Sequence, residues 1–300
     1  MDLNTYILIW VCVFGLCLGS FYNVVILRSL SGESIVFPPS KCPRCGNKLK
    51  PWHNIPVISF ILLRGKCYFC NEKISFQYPI IELLTMFLFG ISFLKFGISY
   101  ITLFVMFWLS CLIIMTATDI KEKLVDCNIA IAMAIGGVIY AGIEGGRHGI
   151  LISILGLIAG ALIMELIARA GFVIAKTRAM GEADTYVAGA LGAVFGIYSI
   201  VKVLLISLLA SMIFVVPVFL YNKYKSGDKH TCIMSVLFAL SVIVYYAKWH
   251  NYWTLASLVL TGGVLAYFIL RGIKQEQSKS YLPYVPALTA AALYYLFFVI

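Results

Sequence analysis

The sequence predicts an all-α polytopic membrane protein: about ten transmembrane helices with one cytoplasmic, zinc-ribbon-like insert. Three observations carry this reading. Hydrophobic residues make up 62% of the 300 positions, charged residues 12%, and the mean hydropathy is +0.96, which excludes an ordinary soluble domain. Apolar runs recur at lengths near the roughly 17–25 residues that cross a bilayer as a helix. The long polar stretch between the first two runs holds two Cys-x2-Cys pairs.

The runs fall at 5–27, 79–97, 99–118, 128–143, 149–172, 185–197, 199–221, 232–247, 253–270 and 281–300. The first is too long to be a cleaved signal peptide and has no cationic region before it. The run at 185–197 is short, rich in glycine and preceded by charge. These spans divide the chain into a first transmembrane helix (1–28), a four-cysteine loop domain (29–78) and a membrane core (79–231). An additional hairpin (232–271) and a linker with the last helix (272–300) follow.

The net charge of +10 raises the question of nucleic acid, but its distribution gives another answer. With the N-terminus outside, eighteen of the 23 Lys and Arg residues fall in inner loops, against Lys95, Arg147, Lys202 and Lys248 outside. Cytoplasmic loops of membrane proteins carry excess Lys and Arg. The basic balance therefore records topology, and no nucleic-acid partner is expected. The insert lies in the cytoplasm and the helices lie in lipid.

Within the insert, Cys42-Pro-Arg-Cys45 and Cys67-Tyr-Phe-Cys70 give the pattern C-x2-C-x21-C-x2-C, close to that of a four-thiolate zinc ribbon. Gly46 can supply the positive φ that such turns require. A stretch of this length with few large apolar side chains builds little core, and a bound metal would supply the missing folding energy. Redox dithiols or disulfides are the competing reading, and a reducing cytoplasm disfavours structural disulfides. Four thiolates leave no open position for water, so the zinc expected here is structural. Cys12, Cys17, Cys111 and Cys232 sit in apolar runs as small buried thiols.

Two aspartates stand where a charge is costly. Asp119 follows the run Leu103–Thr118, and Asp184 opens the run Thr185–Gly196; an ionisable residue at membrane depth is a functional hypothesis by default. The predicted topology puts both at the cytoplasmic rim, where two carboxylates can share one proton and activate water. Asp119, among the free carbonyls of a helix end, is expected to hold that proton, and Asp184, among free N–H groups, to be the base. The plainer readings are an N-cap for Asp184 and an interfacial charge beside Lys121 and Lys123 for Asp119. Asp126 and Glu182 read as solvated loop charges. Glu82 and Glu165 both interrupt apolar runs, and Arg169 stands four residues after Glu165 as a partner. Gly156/Gly160 and Gly192/Gly196 have the spacing that lets membrane helices approach closely.

At these residues the chain resembles the type IV prepilin peptidases, membrane aspartic proteases. Gly19-Ser20-Phe21-Tyr22-Asn23-Val24-Val25 is similar to the family's GSFLNV stretch. Asn54-Ile55-Pro56-Val57-Ile58-Ser59 and Leu63-Arg64-Gly65-Lys66-Cys67 are similar to NIPVLSW and LRGRC, and Ile74–Thr85 to ISxRYPLVELLT. Gly181-Glu182-Ala183-Asp184 stands where the family has GxGD, with Ala183 in place of its second glycine, and Val125-Asp126 replaces an isoleucine-proline pair. Pro283-Tyr284-Val285-Pro286 is similar to the late PFGPFL stretch. The resemblance implies Asp119 and Asp184 as the catalytic pair and Cys42, Cys45, Cys67 and Cys70 as a metal loop. It further implies a bacterial inner-membrane location and prepilin or pseudopilin substrates cut behind a short basic leader. Methylation of the new N-terminus with S-adenosylmethionine also rests on the resemblance alone. Two other classes remain: a transporter using Asp119 and Asp184 as proton or cation ligands, and an assembly factor whose zinc loop docks a cytoplasmic partner.

Overall fold

The computed structural model describes residues 2–175, 181–225 and 284–299, with isolated positions at Ile233, Leu237, Leu240 and Leu260. These residues form helices α1 (Leu3–Ser31), α2 (Ile58–Leu62), α3 (Gln77–Phe96), α4 (Tyr100–Glu122), α5 (Cys127–Ala175), α6 (Glu182–Phe195), α7 (Ile197–Lys225) and α8 (Val285–Tyr294). A 3₁₀ turn covers Pro51–Asn54, and α8 runs on into a π-helical turn, Tyr295–Val299. Among the described residues there is no strand. The expected helices at 232–247 and 253–270 lie outside them.

Among the described residues, four helices are long and apolar enough to cross a membrane: Leu3–Ser29, Gln77–Phe96, Tyr100–Glu122 and Cys127–Ala170. The expected count of ten spans is not confirmed among the described residues, and α5 contains two of the expected runs. Its helix is interrupted at Gly146, whose φ of 56° and ψ of −140° leave the helical region. A Cβ on Gly149 would stand 2.0 Å from the Ala141 carbonyl oxygen, and Gly137 and Ser153 both touch Ala193. Contacts between positions this far apart in sequence require the chain to double back. The expected runs 128–143 and 149–172 are therefore two legs of one hairpin. α6, at 14 residues, is shorter than a spanning helix.

Local signals set the boundaries. Ser99 caps α4 through the Thr102 amide, Asp126 accepts the Asn128 amide at 2.9 Å ahead of α5, and Gly97 ends α3 with φ +65°. The Gly97–Ser99 turn is short, so α3 and α4 run antiparallel. α1 and α3 are antiparallel as well, packed through Gly15 against Met86 and Gly19 against Glu82. α4 lies at the centre, with Val105, Leu109 and Met115 almost fully enclosed, and Trp108 and Tyr140 meet edge to face at 5.2 Å. Apolar side chains such as Phe14, Ile135 and Leu162 are exposed around the outside, as lipid contact requires.

The tightest seam joins the second leg of α5 to α6. A Cβ on Gly192 would stand 2.0 Å from the Gly156 carbonyl oxygen, and one on Gly160 would stand 2.3 Å from that of Ala188. The glycine spacing in the sequence thus becomes backbone-to-backbone contact. Gly192→Ala should destabilise the fold by about 1–3 kcal/mol or more, since overpacking here meets main chain. Gly145→Ala, where nothing lies within 4 Å, should leave stability unchanged. Thermal unfolding in detergent micelles checks the pair.

Candidate functional site

Asp119 and Asp184 are set by the ends of two helices that meet a third. α4 continues to Glu122 before Lys123 closes it in the left-handed region and donates to the Asp119 carbonyl at 2.9 Å. Asp119 therefore sits inside the last turn of α4, 5% exposed. Asp184 is 6% exposed and sits in the first turn of α6, where its Oδ2 accepts the Gly181 amide at 3.0 Å. It is not the N-cap itself, which is Gly181. Asp119 and Asp184 lie within electrostatic reach of each other, so two positions remote in sequence come together as buried side chains.

The third element is the start of α8. The Val285 amide donates to Asp119 Oδ2 at 3.1 Å. Tyr284 lies within electrostatic reach of Asp184, and its hydroxyl pairs with Ser207 Oγ of α7 at 2.8 Å. In the sequence Tyr284 and Val285 stand only within the stretch similar to PFGPFL, and no local pattern marks a role for them or for Ser207. The available signal was the pair of prolines, Pro283 and Pro286, ahead of the last apolar run. The two carboxylates are buried to the same extent, and each accepts one backbone N–H.

The four insert cysteines converge separately. The Sγ atoms of Cys42, Cys45, Cys67 and Cys70 all lie within 4.8 Å of one another, and Cys42 and Cys70 are 3.9 Å apart. A tetrahedron with metal–sulfur bonds of about 2.3 Å has edges of about 3.8 Å, so the donor set fits. Each pair forms the same turn. Gly46 donates to the Cys42 carbonyl with φ +71°, and Asn71 donates to that of Cys67 with φ +56°, both at 2.9 Å. Gly46 was legible in advance; Asn71, the residue type that best tolerates this region after glycine, was not. Backbone N–H groups of Cys70 and Phe69 help bring the Cys67 thiol down to about 7. From residue 32 to 76, only Cys42 and Cys67 are buried, so the thiol cluster is the core of the insert.

The remaining acids separate cleanly. Glu165 pairs with Arg169 at 2.8 Å, as the spacing indicated, and Asp126 caps a helix. Glu82 is buried and accepts the Val57 amide at 2.7 Å, which joins α3 to the insert.

Comparison with known proteins agrees with this architecture. Residues 13–96 match the bacterial Peptidase A24 N-terminal domain, and residues 106–216 match the Type IV leader peptidase family. The chain is 32% identical over 225 residues to a prepilin leader peptidase/N-methyltransferase of Neisseria gonorrhoeae, covering 67% of this chain and 78% of that protein. A protein of the same name from Myxococcus xanthus is 33% identical over 62% of this chain and 55% of its own length. One from Bacillus subtilis is 42% identical over 40% and 48%. The chain thus spans about half the length of two of these relatives. No solved structure matches. From its α1–α3 unit through the helices that carry Asp119 and Asp184, the chain belongs to the type IV leader peptidase family.

Proposed function

We propose that this protein cleaves the basic leader from prepilins or pseudopilins at the cytoplasmic face of a bacterial inner membrane, with Asp119 and Asp184 as its catalytic pair. The observation that carries the reading is the convergence of these two buried carboxylates at one end of the helix bundle. Val285 and Gly181 occupy Oδ2 of each, which leaves Oδ1 of each for water and substrate. One carboxylate takes a proton from water as its oxygen attacks the scissile carbonyl, and the other gives a proton to the carbonyl oxygen. Proton return to the nitrogen then releases the mature chain as an amine. A basic leader held in the cytoplasm and an apolar helix held in lipid would place the scissile bond at this depth.

In the same reading the insert, residues 29–78, holds zinc through Cys42, Cys45, Cys67 and Cys70. The ion crosslinks the two turns and has no open position for substrate. The names of the relatives couple the peptidase to an N-methyltransferase, which would use S-adenosylmethionine on the new N-terminus. Among the described residues, no set of side chains fits that molecule. The transporter reading accounts for neither the thiol cluster nor the family.

Asp119→Asn and Asp184→Asn should each lower leader cleavage by on the order of 10³-fold or more, read by mass spectrometry on a purified prepilin; a variant that still cleaves at the normal rate removes its residue from the proposed pair. Val285→Pro deletes the donor to Asp119 at a first helical position that tolerates proline. Its cleavage rate should fall about 10- to 100-fold, with the fold retained by circular dichroism. The purified chain should carry a single zinc ion by elemental analysis, and Cys42→Ser or Cys67→Ser should lose it together with resistance of the insert to protease.

A further inference from the structure

α1 and α3 cross at Gly19, where a Cβ would stand 2.7 Å from the Glu82 Cα. Around that crossing lie Gly19, Ser20 and Asn23 from α1 and Tyr78 and Glu82 from α3, at the one-turn spacing that shares a helix face. Asn23 is 1% exposed and Glu82 5%. Donors here are few. The Asn23 amide nitrogen is committed to the Gly19 and Tyr78 carbonyls, both at 3.2 Å. Glu82 receives the Val57 amide at 2.7 Å. Asn23 Oδ1 is enclosed without any donor, and among the described residues no cation lies against Glu82. A carboxylate accepts at about four lone-pair sites and an amide oxygen at about two. The crossing therefore holds surplus acceptors and an uncompensated carboxylate where burial strongly disfavours both.

We propose that this crossing binds a primary ammonium group of the polypeptide substrate, with Glu82 as counter-ion and Asn23 Oδ1 as second acceptor. An ammonium has three donors and no acceptor, the complement of what the crossing offers. Val57 supplies the means of entry. Its φ of 59° and ψ of −47° are rarely adopted by a β-branched residue, and its amide is held by Glu82. A strained segment laid over a buried carboxylate is poised to lift when another donor takes its place. The antiparallel α1/α3 pair and the short α3–α4 turn put this crossing at the same end of the bundle as Asp119 and Asp184.

The inference rests on the proposed function for its source of ammonium. A prepilin presents leader lysines before cleavage and a free α-amine after it, and the chemistry is the same for both. The experiment measures binding rather than turnover, using the full-length, metal-loaded chain in detergent micelles and the Asp119→Asn background. Four synthetic peptides are compared by fluorescence anisotropy: the mature pilin N-terminal segment with a free or acetylated α-amine, and the precursor segment with free or acetylated leader lysines. One free-amine peptide should bind about 10-fold tighter than its acetylated partner, and which pair shows the difference identifies the source. Glu82→Gln, which keeps an acceptor for the Val57 amide, should erase the difference without loss of metal. Asn23→Ser should narrow it. Equal binding of free and acetylated forms in both pairs overturns the inference, as does a Glu82→Gln chain that still discriminates. Leader loss measured separately with Asp119 intact tests the peptidase reading, so failure of one is not mistaken for failure of the other.

Discussion

Lipid gives two apolar helices little hydrophobic reason to pack against each other, so close association in a bilayer depends on how near their backbones can come. In this protein that constraint is met by Gly156 and Gly160 on the second leg of α5 and by Gly192 on α6, where side chains would collide with carbonyl groups. α6 is short, and this seam is what holds it. Because α6 runs antiparallel to that leg, its N-terminus lies at the end of the bundle where α4 finishes. The position of Asp184 against Asp119 follows from that geometry, and the start of α8 closes the pocket through Val285.

Three buried carboxylates have been supplied with donors in the same way. Asp119 receives the Val285 amide, Asp184 the Gly181 amide and Glu82 the Val57 amide. Each donor stands at or next to the first residue of a helix, where N–H groups have no partner in the helix itself. The arrangement satisfies part of the carboxylate without a fixed cation. It leaves buried acceptor capacity, which suits a pair proposed to handle water and a crossing proposed to hold an ammonium.

The insert obeys a different rule. It has almost no enclosed side chains apart from two of its own thiols, and its further order comes from backbone bonds such as Leu49 N–H to the Ser40 carbonyl at 2.8 Å and from rings such as His53 against Tyr68 at 5.1 Å. Such a segment depends on its thiol cluster and on its anchors to the membrane helices. Arg28, which donates to the Ser34 and Pro38 carbonyls, anchors its beginning. The Glu82–Val57 bond anchors its middle.

The sequence by itself determined the membrane class, the four-cysteine cluster, the Glu165–Arg169 pair and the glycine seam. These are local in spacing or in composition, and helical periodicity and transfer energy read such signals without knowing the fold. It also picked out Asp119 and Asp184, because a charge in an apolar run is conspicuous wherever the run ends up. It did not show that α4 carries Asp119 a turn inside its end, or that Tyr284, Val285 and Ser207 lie beside the two aspartates. Nor did it pair Asn23 with Glu82. Those facts depend on which helix faces touch and on backbone N–H groups, which every residue but proline possesses and which leave no mark in the sequence. Only the tertiary packing decided them.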